Sequence, residues 1–149
     1  MPFRVEDKFE VNAPVEKVWS FLMDPKQVVQ CLPGVELTEI QDERNFLGKM
    51  SIKIGPVGMS FQGKVQITEM DEKEHRVRMS GEGREGGGWI RGSMFSQVFP
   101  TAQGSTEVVA QAELDIAGKA LQFGRGLIES IMKQQFRKFA ESVQKILEA

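Results

Sequence analysis

One histidine, one cysteine and one glycine-rich hexapeptide are the obvious candidates for chemistry in this chain. Nucleophilic catalysis by serine or cysteine needs a histidine that can reach the nucleophile. His75 lies in the charged run Asp71-Glu72-Lys73-Glu74-His75-Arg76, which reads as a solvated turn. Cys31 has an apolar context and no histidine near it in sequence, so it reads as a buried, inert thiol. The histidine and cysteine spacings of a metal site are missing, and no metal is expected. Gly81-Glu82-Gly83-Arg84-Glu85-Gly86 matches the dinucleotide-binding fingerprint letter by letter. That motif works only between a strand and a helix. Here Gly87-Gly88 and another strand-like run follow, so a flexible hairpin from Gly83 to Gly88 is expected instead. Asp7 and Glu39 are the only acids that fall on predicted inner faces, too few to favour acid–base catalysis.

Binding is better supplied than catalysis. Gln135 falls inside an apolar helical stripe, between Ile128, Ile131 and Phe139. A buried amide needs a partner, which is either nearby backbone or water, or the carbonyl or hydroxyl of a ligand. Met50, Met59, Met79, Met94 and Met132 all fall on predicted inner faces. Singly, each reads as core; together they make a plastic interior suited to a flexible apolar ligand. The expected wall of that interior is Met50, Phe61, Met79, Met94, Ala112, Leu114, Ile128, Ile131 and Met132, with Gln135 orienting a polar head. The expected mouth or partner surface is the Leu32-Pro33-Gly34 turn and the loop at Gly86 and Gly87.

These residues sit on a legible series of elements. Phe3, Val5, Phe9 and Val11 alternate as in a strand, with Asp7 interrupting the apolar face. Ala13-Pro14 opens a helix carrying Val15, Val18, Trp19 and Leu22, and Asp24-Pro25 ends it. A short second helix from Lys26 to Leu32 stops at Pro33-Gly34. Five or six strands follow. Val108, Ala110, Ala112, Leu114 and Ile116 alternate most cleanly with polar neighbours. In the run Trp89–Phe99, apolar residues occupy both faces, which implies either a bulge or cover on both sides. A long helix over 119–147 comes last, with Ile128, Met132, Phe139, Val143 and Ile146 as its apolar stripe. Gly124 and Gly126 weaken its first turns, so either a kink or a later start near Leu127 is expected.

This order predicts an α+β helix-grip fold: a curved antiparallel sheet of six or seven strands around one long C-terminal helix. Gly63, Gly81, Ala110 and Ala112 are small residues on the inner face and should leave volume beneath the helix. The 149 residues fit a single domain spanning 1–149. A net charge of −2 offers no basic field for nucleic acid. No apolar run reaches the roughly 20 residues that span a bilayer. No signal-peptide hydrophobic region opens the chain, and a lone cysteine forms no internal disulfide. A cytoplasmic setting is the expectation. Tyrosine is absent while phenylalanine occurs ten times, favouring apolar filling over polar-tipped recognition.

The tract Asp24-Pro25…Cys31-Leu32-Pro33-Gly34-Val35 resembles the CoxG family associated with aerobic carbon monoxide dehydrogenases, within the START-like superfamily. Ile54-Gly55-Pro56, Phe61-x-Gly63, Gly81-x-Gly83 and Ile116-x-Gly118-Lys119-Ala120 extend the likeness over nearly the whole chain. The resemblance implies a non-enzymatic accessory protein of a molybdenum hydroxylase, acting at the inner face of the membrane. It implies an isoprenoid quinone or another lipophilic molecule as ligand, with no covalent cofactor. Many members continue into a polar linker and a membrane-binding segment, whereas this sequence stops at Ala149. Either such a segment lies beyond the sequence given or this is a short, soluble member; because no apolar run here could span a bilayer, any membrane contact of these residues is expected to be peripheral or through a partner. The competing expectations are an assembly factor with an incidental cavity, a general lipid carrier, and a cyclase with an acid–base pair.

Overall fold

The computed structural model describes residues 3–54 and 56–149, and only the backbone of 54, 57, 119 and 120. The chain forms β1 (Phe3–Val11), α1 (Val15–Leu22), α2 (Pro25–Val28) and a 3-10 turn, Val29–Cys31. Six strands follow: β2 (Val35–Ile40), β3 (Asn45–Ile54), β4 (Val57–Asp71), β5 (Arg76–Glu85), β6 (Gly88–Pro100) and β7 (Thr106–Ala117). A 3-10 segment, Lys119–Phe123, leads into α3 (Arg125–Leu147). The seven strands make one antiparallel sheet in the order β1-β7-β6-β5-β4-β3-β2. Each β-hairpin therefore joins neighbours, and only β1 returns from the far end to pair with β7. This is the helix-grip architecture expected from the alternation of strands and the single long helix.

Proline and aspartate set the early boundaries. Pro14 is the residue before α1, with its φ fixed at −64°. Asp24 caps α2, its carboxylate accepting from Lys26 N at 3.1 Å and from the Gln27 amide at 3.0 Å. These donors hold the Asp24 carboxyl below its ordinary value of 3.8. α1 buries Val18, Trp19 and Phe21 against the sheet. Each such apolar side chain contributes roughly 1.5–3 kcal/mol.

β6 settles the ambiguous register. It pairs without a break with both β5 and β7, so there is no bulge. Ile90, Met94 and Val98 point to the concave side. Trp89 and Phe95 point outwards beneath guanidinium groups, Arg91 at 4.5 Å and Arg78 at 4.7 Å from the ring centres. The outer aromatics are covered by cations rather than by a second layer. Register shifts occur instead at Leu37/Glu39 and Ile67/Glu69. The glycine-rich hexapeptide is strand to Glu85, which pairs with Gly88 across the Gly86–Gly87 turn, so the hairpin tip is shorter than expected.

Three expectations need correction. α3 begins at Arg125, not 119, because Gly124 takes φ +88° and ψ 154°, outside the helical region. Its buried stripe ends on Ala140, Val143 and Leu147, while Ile146 is left exposed. The four-residue step from Val143 keeps Leu147 on the covered side. His75 is no solvated turn residue. Its side chain is only 17% exposed, lies 3.3 Å from the Glu16 carboxylate and packs on Trp19 at 5.4 Å. It also carries φ +52°, the one positive value outside glycine among the described residues. Charge in the flanking sequence hid a contact that only α1 docking creates. Cys31 is fully buried, and that burial pushes its thiol up from the ordinary value.

Candidate functional site

The buried apolar residues do not form one core. One cluster gathers Val11, Trp19, Phe21, Cys31, Val98 and Val143 at the end where β1 finishes and α3 ends. A second gathers Phe3, Met59, Phe61, Ile116 and Ile128 at the end where α3 begins. Between them, on the concave side, lie Val65, Gly81, Met94 and Ala112. Cross-strand pairing places Val65 beside Gly81, and Met94 between Met79 and Ala112. Val65 shares its strand face with Phe61 and Ile67, which are 4% and 6% exposed, yet Val65 is 40% exposed. Met94 is 36% exposed although Val98, on the same face, is 2%. Solvent thus reaches the concave side between the two clusters.

The lean of α3 explains the opening. One flank of the helix packs on β1. Phe136 and Phe139 meet the Phe9 ring edge-on at 5.9 and 6.2 Å, and the Gln144 amide donates to the Glu10 carbonyl at 2.8 Å. At about 100° per residue, Leu127, Ile131 and Gln135 fall on the other flank. Leu127 is 43% exposed, and Ile131 and Gln135 are half-buried. Among the described residues no side chain or backbone group hydrogen-bonds the Gln135 amide.

The structure distributes the expected wall residues unevenly. Phe61 and Ile128 are buried in the second cluster, and Met50, Leu114 and Met132 pack against it. Met79 packs against the first cluster. Met94, Ala112, Ile131 and Gln135 belong to neither cluster and are partly or largely exposed. Val65 and Leu127 are also exposed and were not assigned to the wall, because exposure depends on where the helix lies.

The residues of the expected mouth lie on two turns. The Gly34 carbonyl accepts from Ser51 N of β3 at 2.8 Å, and Pro33 and Gly34 are exposed beside half-buried Leu32. Gly86 and Gly87 are exposed at the tip of the β5–β6 turn, beside the β7 exit at Gly118. The carboxyls of the acid–base alternative are exposed on strands at opposite edges of the sheet: Asp7 on β1, bonded to Lys8 N at 2.8 Å, and Glu39 on β2.

Two grooves have mixed linings. One of about 520 Å³ lies between β1 and α3, where Val5, Phe9, Phe136 and Ala140 stand beside Asp7, Lys133, Arg137 and Glu141. The other, about 550 Å³, lies on the outer face, with Leu47, Gly48 and Gly63 beside Lys49, Lys64, Glu82 and Arg84. Charged groups border both grooves, whereas the side chains exposed between the two clusters, Val65 and Met94, are apolar, and that stretch is the candidate site for an apolar ligand.

A curved antiparallel sheet gripping a long C-terminal helix defines a START-like, helix-grip protein. The chain belongs to the CoxG family, the G subunits of carbon monoxide dehydrogenase, whose model matches residues 8–148. It is similar in structure to a conserved protein from Geobacillus kaustophilus, at TM-score 0.88 and 21% identity over 98% of this chain and 95% of that one. It is also similar to the ZhuI aromatase/cyclase from Streptomyces sp. R1128, at TM-score 0.70 and 16% identity over 99% and 94%. Norcoclaurine synthase from Thalictrum flavum, in complex with dopamine and hydroxybenzaldehyde, matches at TM-score 0.65 and 17% identity over 98% and 86%. At these identities the likeness establishes the fold. No curated protein matches the chain in sequence. Among the described residues no helix is long and apolar enough to cross a membrane.

Proposed function

We propose that this protein binds a lipophilic small molecule, an isoprenoid quinone, in the gap between its two apolar clusters. In this reading it is a non-enzymatic accessory protein. It couples a molybdenum hydroxylase of the carbon monoxide dehydrogenase type to the quinone pool, through peripheral contact at the cytoplasmic face of the membrane. The observation that carries the binding reading is the solvent exposure of Val65 and Met94 on a face that should be core. Apolar surface left open inside a fold is stabilised by whatever covers it, at roughly 25 cal/mol per Å². Family membership supports the enzyme partner. Gln135 supplies a free amide beside the gap, able to donate to a carbonyl or accept from a hydroxyl.

Organic extraction of the purified protein followed by mass spectrometry tests this reading, with titration by quinones of several tail lengths. A stoichiometric isoprenoid quinone, or saturable binding that tightens with tail length, is the expected result. A protein that extracts empty and ignores every quinone overturns it and leaves an assembly factor.

A further inference from the structure

Glycines recur on the concave side of the middle strands, and their neighbours separate them into two kinds. A Cβ on Gly63 would overlap the Glu82 carbonyl oxygen. On Gly48 it would lie 2.7 Å from the Glu36 carbonyl oxygen, and on Gly92 it would strike the Leu114 side chain and approach the Glu113 carbonyl to 3.0 Å. Close backbone approach in a strongly bent sheet demands glycine at these three positions. Gly83 is tight as well, with Phe61 Cβ at 3.3 Å. Gly81 is different. A Cβ there would meet only Val65 Cγ2 and the Lys64 carbonyl oxygen, each at 3.5 Å, which is ordinary contact. Its φ is not among the positive values, so an L side chain fits its backbone. Glycine inside a strand gives up packing and chain entropy. Nothing in the backbone around Gly81 requires that loss.

No other heavy atom lies within 4 Å of that position, so the concave face is open above Gly81. Val65, half open to solvent, stands on one side of it, and Leu114 leans over neighbouring Gly92 on the other. We propose that Gly81 is a specificity-determining residue: its missing side chain is a pocket that receives a methyl branch or ring edge of the ligand and selects branched or ring-bearing lipids over straight acyl chains. A straight chain passes over that pocket and gains nothing from it. A branch fills it, and each buried methyl group is worth about 0.8 kcal/mol, near fourfold in affinity. This inference rests on the lipophilic-ligand reading above and adds the shape of that ligand.

The test uses two alcohols of equal carbon count, farnesol and 1-pentadecanol, with the wild-type protein and the variants Gly81→Ala and Gly81→Val. Melting temperature is measured beside affinity, and Gly63→Ala serves as the packing control. The wild-type protein should prefer farnesol. Gly81→Val should melt at or above the wild-type temperature, lose about tenfold or more in farnesol affinity, and change less than about threefold for pentadecanol. Gly81→Ala should lie between, and Gly63→Ala should melt well below wild type. Unchanged farnesol affinity in a folded Gly81→Val protein overturns the proposal while leaving the ligand reading intact. So does a fall in melting temperature for Gly81→Ala as large as that for Gly63→Ala, because the glycine is then structural. A wild-type protein that binds neither alcohol nor any quinone overturns both.

Discussion

His75 shows how one residue can join distant parts of this chain. Its ring rests on Trp19 of α1 and faces Glu16, while its backbone holds a left-handed conformation at the β4–β5 turn. The two contributions separate by substitution. His75→Ala loses the ring and keeps a side chain at φ +52°, so it should be less stable than His75→Gly by about 1 kcal/mol. Urea midpoints of the two variants measure the difference, and equal midpoints would remove backbone strain from the account. Gln135 belongs to the same scale. Gln135→Leu keeps the helix and removes the free amide, so quinone affinity should drop about three- to tenfold if the amide holds the ligand's oxygen. Isothermal titration that finds equal affinity sinks the orienting role.

Among the elements, α2 depends on its cap. The Asp24 carboxylate accepts from Lys26 N and Gln27 Nε2, and these bonds favour its ionised form. A carboxyl held below its ordinary value stabilises the fold above that value and stops doing so as pH falls through its folded value. Asp24→Ala should therefore lower the melting temperature at pH 7, and the gap to wild type should close in acid, below the ordinary carboxylate range. A gap independent of pH would mean that the charge is irrelevant. The end of α3 makes a second prediction. Leu147→Ala should cost about 2–3 kcal/mol, and Ile146→Ala no more than about 0.5 kcal/mol. Chemical denaturation distinguishes them, and the reverse order would mean that the helix is rotated by one residue.

At the scale of the whole molecule, the proposed ligand should stabilise the fold: at about 100 times its Kd it should add about 2.7 kcal/mol. If it sits where proposed, the added protection from hydrogen exchange should concentrate on β4–β6 and the Leu127–Gln135 stretch of α3. Protection confined to β1 and the far end of α3 would point to the groove between those elements instead.

Much of this fold was legible in local pattern. Period-two alternation marked β1, β4 and β7, and Pro14, Asp24-Pro25 and Gly34 marked the early boundaries. Burial on one face of a strand writes itself into every second residue, so no knowledge of the partner strand is needed. The candidate site was legible only in part. Met94, Ala112, Ile131 and Gln135 could be assigned to inner faces, but an inner face becomes wall or core according to what covers it. Tertiary packing decided that. α3 leans on β1 through Phe136 and Phe139, leaving Val65 and Leu127 open and Phe61 and Ile128 sealed. Cross-strand register set Gly81 beside Val65 and crowded Gly63 against Glu82, a difference invisible in two glycines of the same strand-like pattern. Periodicity is a property of neighbours along the chain, whereas the exposure of Val65 and the docked His75 arise from contacts between residues far apart in sequence.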